Sequence, residues 1–183
     1  MARKNPKDKN SPEYLSGKIA TGRHSLLLIA AFTVVNVLMV VLDSGTYYLF
    51  SASVPYYLTL YAKGIDNGFV NGPWPENGPI TIAALVISGV ILLLYLLFWL
   101  MSKKKTGWLI PALVMFLLDT LALGWCTINI VNDPAGNILD FVVHIWAIVE
   151  LFQAIFCSNK LKKLPAAAED LEPWYGKGPE IDV

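Results

Sequence analysis

Four long apolar stretches constrain the fold of this chain more than any other feature. They cover residues 25–42, 79–101, 108–130 and 137–157, and the first two contain no charged residue. A helix needs about 20 apolar residues to cross a bilayer core of about 30 Å, and each stretch is close to that length. Four such helices in 183 residues would leave a soluble protein almost no polar surface. The sequence therefore predicts an all-α integral membrane protein built on a four-transmembrane-helix bundle.

The composition agrees with this prediction. Apolar residues make up 55% of the chain and the mean hydropathy is +0.52, both high for a soluble protein. The strands of a membrane barrel would alternate apolar and polar residues over about ten positions. These stretches are continuously apolar instead, so we expect helices.

The basic residues predict the orientation of the bundle. Of the fourteen Lys and Arg residues, thirteen precede the first span, lie between the second and third, or follow the fourth; Lys63 is the exception. Such residues concentrate in cytoplasmic segments, so both termini are predicted in the cytoplasm of a plasma membrane, as in a bacterial inner-membrane protein. Topology explains these basic clusters, and we expect no nucleic-acid partner.

The predicted organisation has three parts. Residues 1–22 form a polar cytoplasmic tail, residues 23–159 the transmembrane domain, and residues 160–183 a flexible cytoplasmic tail. The outer loop, residues 43–78, is long for a helical bundle and its first half is rich in tyrosine. It predicts an aromatic interfacial segment with a short helix over residues 56–62. This segment would be a cap in the headgroup region or a lid over an opening between helices.

Polar residues recur on one face of each span, at helical spacing. Such faces turn toward the interior of a bundle, so the four helices are expected to enclose a polar centre. The candidate ligand-binding or ion-binding residues are Asp119, Glu150, His144, Asn36, Ser88, Tyr95 and Asp140.

Two of these acids raise the main question. Asp119 and Glu150 are expected near the middle of the membrane, and no Lys or Arg lies within the four apolar stretches. A carboxylate in hydrocarbon costs several kcal/mol or more unless it is paired. The acids could therefore be neutral and join helices, share a proton or pair with His144, or meet a bound cation. If Asp119 serves the function of this centre rather than its structure, Asp119→Asn is expected to leave folding largely intact.

The main functional hypothesis is a protein that binds or moves a small cation, a proton or an amine-bearing solute through this centre. The alternative is a non-transporting scaffold or accessory subunit whose polar residues hold helices or a partner together. An enzyme is less favoured, because it needs a nucleophile and a base within hydrogen-bond reach. Ser88 and His144 are the pair at similar depth. A homodimer or another membrane partner is also compatible with so small a bundle.

Cysteine and histidine usage argues against cofactors. Cys126 and Cys157 are expected about 20 Å apart in depth, which is too far for a disulfide bond. The chain has only two histidines and no clustered metal-binding motif. No cofactor and no metal site are predicted.

Overall fold

The chain folds into five α-helices, four of them long. The computed structural model describes residues 9–69, 73–129 and 138–164. The helices are α1 (Pro12–Val41), α2 (Ser53–Asp66), α3 (Pro79–Lys104), α4 (Leu109–Asn129) and α5 (Ile138–Leu161), with a 3-10 turn at Thr106–Trp108 between α3 and α4. No β-strand occurs in the described ranges.

Helices α1, α3, α4 and α5 are long and apolar enough to cross a membrane, which is consistent with a multi-pass membrane protein. The last three begin within one residue of the predicted spans. Helix α1 begins earlier, at Pro12, because Ser11 caps it by accepting a hydrogen bond from the amide of Tyr14 at 3.2 Å. Proline in the first turn also favours a helix start. Much of the predicted N-terminal tail is thus the first turns of α1.

The long helices pack side by side, with α1 antiparallel to both α5 and α3. We call the end where α1 begins and α5 ends the lower end, and the opposite end the upper end. In the lower half, α1 and α5 approach closely at Gly22. A Cβ atom there would lie 2.5 Å from Cβ of Ala154 and 3.1 Å from the main-chain oxygen of Glu150. The apolar core beside this contact contains Leu26, Ile29, Ala30, Leu109, Ala112, Phe116, Ala147, Leu151 and Ala154.

The upper half is built differently, because the connection between α1 and α3 enters the bundle. After α1 the chain descends, and α2 then rises through about 21 Å, packed against α1, α3 and α4. Its first residue, Ser53, is fully buried beside Asp119, which lies ten residues from each end of α4. Its last residue, Asp66, lies at the upper end beside Thr81 of α3. We call α2 the re-entrant helix, because the chain enters the bundle before it and returns to the upper end along it.

The predicted short helix over residues 56–62 corresponds to the middle of α2. The helix begins three residues earlier, inside the bundle, and passes through Gly64. The ring of Phe69 packs over Gly64, and the chain reverses only at Gly68, whose φ of +66° suits glycine. The aromatic loop is thus anchored within the bundle rather than laid across its surface.

Candidate functional site: the polar centre of the bundle

The segment before α2 is non-helical, and side chains of α1 satisfy several of its backbone hydrogen bonds. The side chain of Asn36 donates to the carbonyl of Tyr48 at 2.7 Å and accepts from its amide at 2.8 Å. The hydroxyl oxygen of Thr33 accepts from the amide of Ala52 at 2.7 Å. Non-helical backbone is tolerated at membrane depth only where protein groups complete it in this way.

Asp119 caps the buried start of α2. One carboxylate oxygen accepts from the amide of Ser53 and the other from the amide of Val54, both at 2.8 Å. The first amides of a helix have no partner within the helix, and its N-terminus carries a partial positive charge. The carboxylate of Asp119 meets both needs: it accepts hydrogen bonds from the free amides, and its negative charge stabilises the N-terminus of α2.

His144 of α5 completes this cap. Its Nε2 lies 3.1 Å from Oδ2 of Asp119, and its Nδ1 lies 2.8 Å from the main-chain oxygen of Asp140. The imidazole ring stacks on Phe116, with the ring centres 4.8 Å apart. Both His144 and Asp119 are more than nine-tenths buried. The ring is therefore fixed in position and direction, with each nitrogen facing an oxygen.

A serine and a histidine do come within reach of each other, but their surroundings do not suit nucleophilic catalysis. The hydroxyl of Ser53 lies 3.3 Å from Nε2 of His144. That same nitrogen faces Asp119, and the amides of Ser53 and Val54, which could have held an oxyanion, are bonded to Asp119. Ser88, the serine proposed from the sequence, instead donates to the carbonyl of Pro55 at 3.2 Å.

Asp140 lies above this centre, in the first turn of α5. It is 3% exposed, and its carboxylate lies near the hydroxyl of Tyr47. Its Oδ1 atom is buried and has no hydrogen-bond partner. Asp140 thus contributes its main chain to His144 and its side chain to a separate site near the upper end.

The remaining two candidates lie elsewhere in the bundle. Tyr95 of α3 is 1% exposed, and its hydroxyl has no hydrogen-bond partner. Glu150 lies on the part of α5 that packs near Gly22, and its Oε2 is buried without a partner. The structure gives no hydrogen bond between Glu150 and Asp119. The two acids expected near mid-membrane therefore do not form one site.

Two basic residues, which sequence reasoning placed outside the apolar stretches, are buried and bind the ends of helices. Lys63 of α2 is 1% exposed and donates to the carbonyls of Val40 and Val41, at 2.8 and 2.9 Å. Arg23 of α1 is 8% exposed and donates to the carbonyl of Ser102 near the end of α3. Cations suit the last carbonyls of a helix, which have no partner within it.

Asp66 caps the start of α3, where a negative charge is favoured. It accepts from the amide and hydroxyl of Thr81, at 2.7 and 2.6 Å, and from the amide of Ile80 at 3.3 Å. Desolvation alone would raise the pKa of Asp66, but these hydrogen bonds together with one from the amide of Gly78 hold it below its usual value. The carboxylate form is therefore favoured at this cap.

The described residues offer little for a metal ion. No group of three or more His, Cys, Asp or Glu side chains is suitably placed among them. A cleft of about 90 Å³ lies near the upper end, between α1, α2 and Trp74, and is bordered by Asp43, Tyr56 and Lys63. It is separate from the buried pair of Asp119 and His144.

Comparisons of the chain with protein-family models, with characterised proteins and with solved structures give no significant match.

Proposed function

We propose that this chain is a multi-pass protein of the plasma membrane, of the bacterial inner-membrane type, with both termini in the cytoplasm. We further propose that its polar centre binds a small cation and that this cation is a proton. The four apolar helices and the basic residues outside the apolar stretches support the first statement. The contacts of Asp119 and His144 support the second.

The observation that carries the proposal is the direction of the His144 ring. A carbonyl oxygen only accepts, so Nδ1 must donate its proton to the main-chain oxygen of Asp140. Nε2 then faces Oδ2 of Asp119 at 3.1 Å, where a lone pair against a carboxylate would be repulsive. A second proton on the ring removes the repulsion. Because Asp119 also accepts two amide bonds, the pair is best described as an imidazolium and a carboxylate.

The geometry favours a proton over a larger cation at this position. Both oxygens of Asp119 are committed to amides at 2.8 Å, and Oδ2 also faces His144. Asp119 is 4% exposed, so a metal ion or an ammonium group would have to displace the start of α2. A proton fits between the two side chains without moving either of them.

Loss of this proton would act on α2. Neutral His144 would direct a lone pair at the carboxylate that caps the helix, and the buried Asp119 would then be charged without a counter-ion. Breaking a buried pair of this kind costs about 3–5 kcal/mol. We therefore propose that the proton bound at the centre controls how firmly the start of α2, at Ser53, is held in the bundle.

Nitrogen NMR of the histidine side chains tests the proposal. The chain has two histidines, and the exposed His24 on α1 provides a second side-chain signal for comparison. At pH 7 we expect both nitrogens of His144 to carry a proton, and any loss of the Nε2 proton to be accompanied by shifts in the α2 amides. A bare Nε2 at pH 7 would overturn the proposal.

A scaffold or accessory subunit is the second candidate, and one observation favours it. The polar side chains of Thr33, Asn36 and Ser88 are all used to hold α2 and the segment before it. In a scaffold the proton between Asp119 and His144 would be a permanent hydrogen bond. An Nε2 proton that stays in place between about pH 5 and 9 would therefore favour this candidate, in which a second copy or another membrane protein is the partner.

A further inference from the structure

Three consecutive lysines stand where α3 ends, at the lower end of the bundle. The side chains of Lys103, Lys104 and Lys105 are exposed, and none of the described acidic side chains forms an ion pair with them. The tendency of basic residues to lie on the cytoplasmic side accounts for their presence at this end, but it does not say what the three ammonium groups meet there. Their positive charge is therefore available to an anionic partner.

Two tryptophan side chains lie beside these lysines. Nζ of Lys103 lies 3.6 Å from the centre of the Trp99 ring. Trp108, in the turn before α4, stacks on Phe98 with the ring centres 6.1 Å apart. Tryptophan is enriched at the headgroup level of a bilayer. With the chain inserted in a membrane as proposed above, the three lysines lie at the level of the lipid phosphates.

Exposed apolar side chains begin within one turn of the lysines. Leu97 and Leu100 of α3 are about half exposed, and so are Ile110 and Val114 of α4. A soluble anion bound at the lysines would leave this apolar surface uncovered, whereas the acyl chains of a phospholipid would lie along it. The combination of exposed positive charge and adjoining apolar surface favours a ligand with an anionic head and apolar chains.

We propose that Trp99, Lys103, Lys104, Lys105 and Trp108, which we call the lysine–tryptophan belt, bind the headgroup of an anionic phospholipid. The ammonium groups would donate charge-assisted hydrogen bonds to the phosphate, and the acyl chains would lie along α3 and α4. A zwitterionic phospholipid is disfavoured, because the positive group of its own headgroup opposes the lysines. This proposal rests on the proposed membrane insertion and does not depend on the proton centre.

Native mass spectrometry of the detergent-solubilised protein, titrated with dioleoyl phosphatidylglycerol or dioleoyl phosphatidylcholine, tests the belt. We expect the wild-type protein to bind phosphatidylglycerol at least about tenfold more tightly than phosphatidylcholine. The triple variant Lys103→Gln, Lys104→Gln, Lys105→Gln should reduce this preference to less than about threefold. The corresponding triple change to Arg keeps the charge and should keep the preference.

A second triple variant, Lys9→Gln, Lys162→Gln, Lys163→Gln, is the matched control, because it removes the same charge from exposed positions of the same end. The hydroxyls of Thr106 and Ser158 are hydrogen-bonded to each other, so Lys162 and Lys163 follow α5 beyond the level of the belt. The preference of this control should stay within about twofold of wild type. Equal losses in the two variants would show that total charge attracts the lipid, and would refute the belt.

Two further results would overturn the proposal. The first is equal affinity of the wild-type protein for the two phospholipids. The second is displacement of phosphatidylglycerol by an equal concentration of glycerol 3-phosphate, which has the anionic head without the chains and would indicate a site for soluble phosphates. Uptake of the protein into phosphatidylcholine nanodiscs measures insertion, and the nitrogen titration of His144 measures the proton centre, so each failure is a separate result.

Discussion

The two halves of the bundle are stabilised by different means. In the lower half, α1 and α5 pack through Gly22 and Ala154, and the surrounding core is almost entirely apolar. In the upper half a re-entrant helix occupies the interior; Asp119 binds its first amides, and Asn36 binds the backbone of the segment before it. The lower half is a regular helical bundle, whereas the upper half depends on specific hydrogen bonds.

This difference indicates how each half should respond to substitution. Small residues allow close helix packing in membranes, where the surrounding lipid is as apolar as the core. The stability of such a contact depends on the volume of the side chains at it and not on their charge. A buried helix start cannot be satisfied by packing, because its amides need acceptors. The upper half should therefore be sensitive to the loss of single polar atoms.

The largest effect is expected for Asp119→Ala. This change leaves the amides of Ser53 and Val54 without acceptors and removes the carboxylate that Nε2 of His144 faces. We expect the free energy of unfolding to fall by about 3–5 kcal/mol in denaturant titrations of the detergent-solubilised protein. Thr120→Val is the control, since that hydroxyl bonds only the carbonyl of Phe116 in its own helix. Equal losses of stability in the two variants would show that the hydrogen bonds from Asp119 to α2 are not important, and the upper half would then not differ from the lower half in this respect.

Lys63→Met should have the next largest effect. Methionine keeps much of the length of the side chain but removes the donors to Val40 and Val41. We expect a loss of about 1.5–3 kcal/mol, the range for hydrogen bonds that involve a charged group. Lys104→Met, at an exposed position at the lower end, provides the comparison and should be nearly neutral. A neutral result for Lys63 would show that the end of α1 does not need this cap.

Gly22→Ala tests the lower half. The added methyl group would collide with Ala154, and relief requires α1 and α5 to separate. The expected net loss is about 1–2 kcal/mol, because the better helix propensity of alanine offsets part of the overpacking. Gly17→Ala lies on the same helix with no atom within 4 Å of the added carbon, so it should be neutral or slightly stabilising. Similar thermal stability of both variants would contradict the close packing at Gly22.

The smallest effect is expected for the contribution of Asp66 to stability at acidic pH. Its folded pKa lies below its unfolded value of about 3.9, so the cap on α3 stabilises the fold above that pH. This contribution is lost as the pH falls through the folded pKa. Asp66→Asn should therefore reduce the difference in stability between pH 7 and pH 3 relative to wild type. An unchanged difference would show that this partly buried cap adds nothing measurable to stability.

The sequence predicted the regular part of the fold well. Length and hydropathy placed the starts of α3, α4 and α5 within one residue, because a membrane span is a local property of composition. The polar face of α3, formed by Thr81, Ser88, Tyr95 and Trp99, was also expected to turn inward; the first three residues are buried and Trp99 is partly buried. Helical periodicity is sufficient for such a prediction.

The re-entrant helix could not be predicted in the same way. Its position depends on contacts between residues more than sixty positions apart, such as Ser53 and Asp119. The length of the loop and its tyrosines were the signals, and they favoured a cap in the headgroup region over a lid. The expectation for Asp119→Asn changes with the structure, because Asn has one acceptor oxygen where Asp119 uses two. We now expect this variant to be destabilised.

Hydrogen–deuterium exchange of residues 53–66 in lipid nanodiscs tests the central claim, that Asp119 holds the start of α2 inside the bundle. The claim predicts that the amides of Ser53 and Val54 exchange as slowly as those in the middle of α4, and that Asp119→Asn accelerates them far more than it accelerates the amides of the lower half. Rapid exchange of both amides in the wild-type protein, at the rate of an exposed loop, would contradict it.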